Sequence, residues 1–297
     1  MNGFLNILKP PGMTSAAVVG RVRRLTGERR VGHAGTLDPE AAGILPIMLG
    51  RATRLFDYLV DKEKSYITEV GFGMATDTMD AAGRVTETGD AYPDLDLVRE
   101  KVHALEGDIR QRPSMYSAIK MGGKPLYELA RRGEIVEVPE RVVHVERILV
   151  LEERPEHGVL MQVDCGRGTY IRSICEDLGR LCNCPAYMRF LLRTRSGAFG
   201  IDTAVTLEEA EQLAGEGRLA EKVLPLDMPL QHITRLDVRP GSEKAALNGV
   251  ALKKEQVDGG MTGEVFRVCL KDRFLGICRL ENGLLAWKVL FPGEREE

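Results

Sequence analysis

The stretch VGHAGTLDPEAAGILPIML at 31–49 constrains this chain more than any other. Asp38 stands in a turn crowded with Gly32, Ala34, Gly35, Ala41, Ala42 and Gly43, and a long apolar run follows directly. A carboxylate in such a turn is easy to reach from outside and costly to bury unpaired. Asp-Pro by itself is an ordinary turn or helix-start signal, in the latter case with Asp38 as N-cap and Pro39 at the first helical position. The neighbours point instead to a reactive group. His33 lies five residues upstream, bracketed by Gly32 and Gly35, where backbone can approach a ligand closely. Glu40 falls where a first-turn acid simply complements a helix dipole.

Around this turn the chain mixes strands and helices without regular βαβ alternation, which favours an α+β fold over a doubly wound one. Strands are predicted over 3–8, 65–73, 117–121, 141–152, 158–165 and 188–200. Thr14 or Ser15 caps a helix whose Val18, Val22 and Leu25 share one face. Residues 51–60, 96–106 and 125–132 read as helices, the last ended by Gly133. Residues 107–117 read as a loop. Gly166-Arg167-Gly168-Thr169 opens a helix with Arg172, Glu176 and Arg180 on its polar side. Thr206 and Glu209 have capping-box spacing. Residues 224–229 read as a linker, and 233–293 as short Gly-punctuated strands.

Hydrophobic content of 43% and charged content of 29% are those of a soluble globular chain. No apolar run approaches the roughly 20 residues of a membrane span, and no signal peptide is visible. The six cysteines form no CxxC pair, which points to free thiols in a reducing cytoplasm rather than a zinc site. The formal net charge is −3, but the charges are segregated. Arg21, Arg23, Arg24, Arg29 and Arg30 fall in ten residues opposed only by Glu28. Arg189, Arg193 and Arg195 cluster again, as do Lys120, Lys124, Arg131 and Arg132. One face can therefore attract phosphates while the total stays negative.

Six segments in chain order carry a resemblance to a known family. They are GFLNILKPPGMTS at 3–15, VGHAGTLDPEAAGILPIMLGRATR at 31–54, KSYITEVGFG at 64–73, SMYSAIKMGGKPLYELARRG at 114–133, GRGTYIRSICEDLG at 166–179 and FLLRTRSGAF at 190–199. This set resembles the bacterial tRNA pseudouridine-55 synthases of the TruB type. The resemblance implies a mixed, mainly antiparallel sheet core with flanking helices, over 1–230. Within it, 107–133 corresponds to a thumb-like RNA-binding segment. Residues 231–297 correspond to a small PUA-like RNA-binding β domain. The implied activity converts a uridine in the T-loop of tRNA to pseudouridine, after the base is swung out of its stack.

That reaction breaks the bond from ribose to uracil N1 and joins the ribose to C5. No atom is gained or lost, so no cofactor and no metal is expected. The resemblance assigns the catalytic carboxylate to Asp38, acting covalently or on an oxocarbenium-like state. Arg172 is expected to hold that carboxylate ionised. The plainer reading of Arg172 is a surface ion pair with Glu176. Tyr66 is expected to stack on the base, with Leu191 beneath it and His33 holding the extruded nucleotide. Lys9, Arg23, Lys120 and Arg193 are expected to contact phosphates. The expected partner is the tRNA T-stem-loop, with no membrane and no obligate protein partner, the chain acting as a monomer. Two other classes compete. One is a non-catalytic tRNA-binding or folding module using the same surface. The other is a glycoside-processing enzyme, which needs a second carboxylate near Asp38 that Glu40 supplies poorly.

Overall fold

A computed structural model describes residues 1–59, 63–117, 119–132, 134, 136 and 138–291. The chain opens with strand β1 (Gly3–Lys9), helix α1 (Ser15–Thr26), β2 (Val31–His33), β3 (Ala42–Leu49) and a 3-10 helix at Gly50–Tyr58. Strands β4 (Lys64–Phe72), β5 (Met74–Thr76) and β6 (Val85–Thr88) precede α2 (Leu95–Val102) and β7 (Gly107–Gln111). A small hairpin, β8 (Lys120–Met121) and β9 (Lys124–Pro125), leads into α3 (Leu126–Arg131). The long hairpin β10 (Arg141–Arg154) and β11 (Gly158–Cys165) precedes α4 (Ile171–Leu181). Strands β12 (Ala186–Ser196) and β13 (Phe199–Gly200) and helix α5 (Leu207–Gly215) follow.

These strands make a nine-stranded mixed sheet in the order β1-β3-β12-β4-β11-β10-β7, with β2 on β3 and β13 on β12. Every pairing within it is antiparallel except β12 with β3. The continuous apolar character of β1 and β3 has a physical cause, since both faces are covered. Leu5, Ile7, Leu45, Ile47 and Leu49 join the core beneath α1, α4 and α5, whereas Phe4, Ile44 and Met48 join a second cluster. That cluster also contains Leu230, Ile233, Ile277, Val289 and Phe291 from the C-terminal part of the chain.

The C-terminal part is a β domain with its own core. Its strands are β14 (Thr234–Val238), β15 (Leu252–Lys253), β16 (Val257–Asp258), β17 (Val265–Leu270), β18 (Arg273–Glu281) and β19 (Leu284–Leu290), and a short helix α6 spans Glu243–Leu247. They form a six-stranded sheet in the order β15-β19-β18-β17-β14-β16. The predicted linker is not free. Leu224 exchanges two backbone hydrogen bonds with Phe4, of 2.8 and 2.9 Å, and so adds to the edge of the main sheet.

Of the two plain readings of Asp-Pro the structure takes the turn: Ala41 N–H bonds the Asp38 carbonyl at 3.2 Å, and the apolar run after it is strand β3, paired with β1 and β2. Three local expectations need correction. Residues 107–111 are edge strand β7 on β10, not loop. The segment at 51–60 winds as a 3-10 helix, Gly50–Tyr58. The strand expected at 117–121 shrinks to Lys120–Met121. The expected helix terminator Gly133 lies outside the described residues.

At the parallel junction, Arg193 of β12 faces Gly43 of β3. Gly43 has φ +120°, and a Cβ there would lie 2.2 Å from the Arg193 carbonyl oxygen. Gly43→Ala should therefore destabilise the fold by about 3 kcal/mol or more, through strain and overlap together. Chemical denaturation checks this, and a loss below about 1 kcal/mol would contradict it.

Candidate active site

The 34–41 loop hangs from the junction of β2, β3 and β12, and its conformation is imposed from outside. Lys9 Nζ donates to the carbonyls of Pro10 (2.8 Å), Met13 (2.6 Å) and Pro39 (2.9 Å). Arg193 donates through Nε to Ile44 O (2.7 Å), through Nη1 to Thr36 O (3.3 Å) and through Nη2 to Gly35 O (3.1 Å). Ser15 Oγ donates to Leu37 O and accepts from Leu37 N–H. The loop's orphan carbonyls are thus satisfied by buried cations, which an irregular segment needs when it leaves water.

This geometry corrects two expectations. Lys9 is 0% exposed and Arg193 is 1% exposed, so neither reaches a phosphate. Their donors are spent on backbone carbonyls of the loop (Gly35, Thr36, Pro39), of the turn after β1 (Pro10, Met13) and of β3 (Ile44). Arg23 is exposed near the end of α1, with Nη2 donating to Val31 O at 3.3 Å. The side chain of Lys120 lies outside the described residues.

Asp38 looks into a cleft of about 260 Å³ whose walls include Tyr66, Ser117, Tyr170, Arg172 and Leu191. Lys64 and Arg167 also line it, as does the buried Arg193, and Lys64 and Arg167 are the more exposed of these cations. Arg172 Nε lies 3.1 Å from Asp38 Oδ2, with the arginine side chain 5% exposed and the aspartate 39%. Its other donors reach Thr78 O and Tyr116 O, each at 3.1 Å, and Nη1 stands 3.6 Å from Asp80 Oδ2. The surface pair with Glu176 does not form. Arg180 takes Glu176 instead, at 2.8 Å, while Arg172 turns inward from the first turn of α4.

Electrostatics follow from this packing. Burial pushes the Asp38 carboxyl up, Arg172 and Lys9 pull it back down, and Asp80 adds repulsion. Burial lowers Lys9 to about 8, against the attraction of Glu40 and Asp38. The Tyr66 phenol is pushed up by burial, so it stays neutral. Burial and then the Arg193 charge hold His33 below its ordinary value, favouring neutral imidazole. His33 ends β2 and does not line the cleft, and its buried Nδ1 has no hydrogen-bond partner among the described residues.

Asp38, Tyr66, Arg172 and Leu191 therefore converge on one cleft, and His33 is not among the residues that line it. Asp80 was not visible in sequence, where Thr76 to Gly83 reads as a polar turn. It arrives because Ala81 N–H bonds Met188 O of β12 at 3.0 Å, and Thr78 Oγ1 holds its carboxylate at 2.6 Å.

Comparison with known proteins bears on this site. Residues 23–171 match the family model described as TruB family pseudouridylate synthase (N terminal domain). Residues 172–231 match the model described as tRNA pseudouridylate synthase B C-terminal domain, which falls on α4, β12 and α5 rather than on the six-stranded domain. A protein of Alkaliphilus oremlandii named tRNA pseudouridine synthase B is 45% identical over 252 residues, covering 84% of this chain and 82% of that protein. A Bacillus subtilis protein of the same name is 38% identical over 268 residues, covering 88% and 87%. A chain from a solved Cbf5-Nop10-Gar1 complex has a similar fold, with TM-score 0.77 at 24% identity, covering 98% of this chain and 85% of that one.

Arg193→Met keeps much of the apolar stem but strands three carbonyls. It should cost about 3 kcal/mol or more of stability. Denaturant titration of the two proteins checks this. Equal midpoints would mean that the loop does not depend on the guanidinium.

Proposed function

The chain belongs to the TruB family of pseudouridylate synthases, and on that premise we propose that Asp38 is the group that acts on the target uridine. The protein is a tRNA pseudouridine synthase, an isomerase that converts uridine to pseudouridine in tRNA. In our reading the target is position 55 in the T-loop, and the nucleotide enters the cleft swung out of its stack. The carrying observation is the Asp38 carboxylate facing the cleft with Arg172 Nε at 3.1 Å.

The reaction moves one bond. The N1–C1′ bond breaks, the uracil turns within the cleft, and a C5–C1′ bond forms, with the C5 proton lost to a base or water and N1 reprotonated. Asp38 either attacks a carbon of the nucleotide or stabilises positive charge on the ribose. Both roles need it ionised, which the adjacent guanidinium favours against burial. Tyr66 and Leu191 offer faces for the uracil ring, and confinement keeps the detached base from escaping.

Extrusion from the T-loop costs a few kcal/mol. Phosphate contacts offset this, and Lys64 and Arg167 at the opening are the candidates we favour, with Arg23 and the 107–133 thumb further along the RNA. We read residues 231–297 as a PUA-like RNA-binding domain. Its support is a separate β core that packs on the outer side of β1 and β3. Among the described residues no helix is long and apolar enough to cross a membrane. The six free, buried cysteines fit a reducing cytoplasm, where we take the chain to act as a monomer.

Pseudouridine mapping in tRNA tests this function. Asp38→Asn should lower the single-turnover rate roughly 10⁴-fold or more while tRNA binding persists. Undiminished conversion would remove Asp38 from the mechanism. Arg172→Lys should lose about 100-fold or more, because one ammonium cannot make the same fork of contacts. Near-normal turnover would leave Arg172 with a structural role only.

The rate should also be bell-shaped in pH. On the acid side it should fall above the ordinary carboxylate range, because the Asp38 pKa is raised and protonation removes the reacting group. On the alkaline side it should fall as Lys9, charged below about 8, loses its proton and its grip on the loop. In Lys9→Met the alkaline limb should vanish along with a lowered plateau. An unchanged alkaline limb in that variant would rule out Lys9 as its source.

A further inference from the structure

Ser117 Oγ is the buried polar atom in the cleft that the mechanism above leaves unused. The residue is 3% exposed and lines the cleft with Asp38, Tyr66 and Leu191. Its hydroxyl has no hydrogen-bond partner among the described residues. A hydroxyl withdrawn from water without a partner costs about 1–3 kcal/mol, so an orphan on a residue that lines a binding cleft calls for a ligand atom.

From this placement we infer that Ser117 is a specificity-determining contact, hydrogen-bonded through Oγ to a carbonyl oxygen on the uracil edge. The inference rests on the proposed seating of uridine beside Asp38. Depth selects the base rather than the backbone. Asp38, which must meet the ribose or its glycosidic bond, is 39% exposed at its side chain, whereas Ser117 is sealed from solvent. A ring that extends inward from the carboxylate carries its polar edge away from the mouth, towards the hydroxyl. Serine offers one donor and two acceptor positions, and the uracil edge offers two carbonyl oxygens.

The hydroxyl is also held in place. The preceding carbonyl, that of Tyr116, accepts from Arg172 Nη2 at 3.1 Å, and Tyr116 N–H bonds Ser114 Oγ at 3.1 Å. Tyr170 stands on the same wall. With no acceptor among the described residues, the Ser117 hydroxyl proton is available to a ligand atom. A donor there matches a uracil carbonyl and opposes the amino group of a cytosine. The contact is thus tied to the same guanidinium that holds Asp38.

Single-turnover assays on a T-arm stem-loop test the inference with wild type, Ser117→Ala and Asp38→Asn in parallel. Ser117→Ala should slow pseudouridine formation about tenfold, with RNA affinity and thermal midpoint essentially unchanged. Replacing the target by 2-thiouridine or 4-thiouridine weakens one acceptor at a time. Wild type should be slowed by one of the two, and Ser117→Ala should lose that sensitivity. A Ser117→Ala rate within about twofold of wild type, or an undiminished thio effect, overturns the inference alone. So does a loss confined to RNA affinity, which would put the hydroxyl on the nucleic-acid backbone. A wild type that makes no pseudouridine, or an Asp38→Asn protein that does, overturns the underlying reading instead.

Discussion

Two buried cations make six hydrogen bonds to backbone carbonyls, three of them on the 34–41 loop at Gly35, Thr36 and Pro39 and three on its flanks at Pro10, Met13 and Ile44, and so fix the loop that carries Asp38. Lys9 reaches forward from β1 and Arg193 reaches across from β12. Neither side chain could occupy its site without those carbonyls, because an uncompensated buried charge is among the costliest defects a fold can carry. The loop in turn could not turn away from water without the donors. Each half of the arrangement stabilises the other, and Asp38 is presented to the cleft as a consequence. The one parallel pairing in the sheet exists at this point, where Gly43 lets β12 come close enough for Arg193 to reach back.

Around that loop, charge is arranged in order of depth. Lys9 and Arg193 are fully buried against its backbone, Arg172 lies beside the carboxylate, and the more exposed Lys64 and Arg167 line the cleft. Burial works against the Asp38 anion, and the neighbouring cations work for it. An incoming base that displaces water from the cleft lowers the local dielectric and strengthens the Arg172 contact. Asp80 balances the guanidinium from its far side, so Arg172 is shared between two carboxylates rather than committed to one.

Much of the fold was legible in sequence because the signals were local. Helix α1 starts at the Thr14 cap, with Ala17 N–H bonded to its Oγ1, and ends at Gly27 with φ +66°. The β10–β11 hairpin and α4 also fall close to their periodic patterns. The errors lay where tertiary contact decides. Asp38-Pro39 reads equally as a turn or a helix start, and it is pairing with β1 and β2 that draws the following run into a strand. Edge strand β7 has little apolar signal, because only Gln111 of it is buried. In the site, the motif residues Asp38, Tyr66, Arg172 and Leu191 proved to share one cleft. Sequence could not tell a cation that meets phosphate from one that braces backbone, since both read simply as Lys or Arg. Lys9 and Arg193 are buried by strands far from them in the chain, and no spacing rule reports that. Asp80 was missed for the same reason, standing in an irregular segment with no periodicity.

The central claim is that Asp38, held by Arg172, meets a uridine swung out of the tRNA. A structure of the full chain bound to a T-arm stem-loop carrying 5-fluorouridine at the target position tests it most directly. The account predicts the nucleotide unstacked and seated between Tyr66 and Leu191, with an Asp38 oxygen bonded to it or within about 3.5 Å of a ribose or ring carbon. A nucleotide left stacked in its loop, or seated where Asp38 faces only Arg172, would contradict the account.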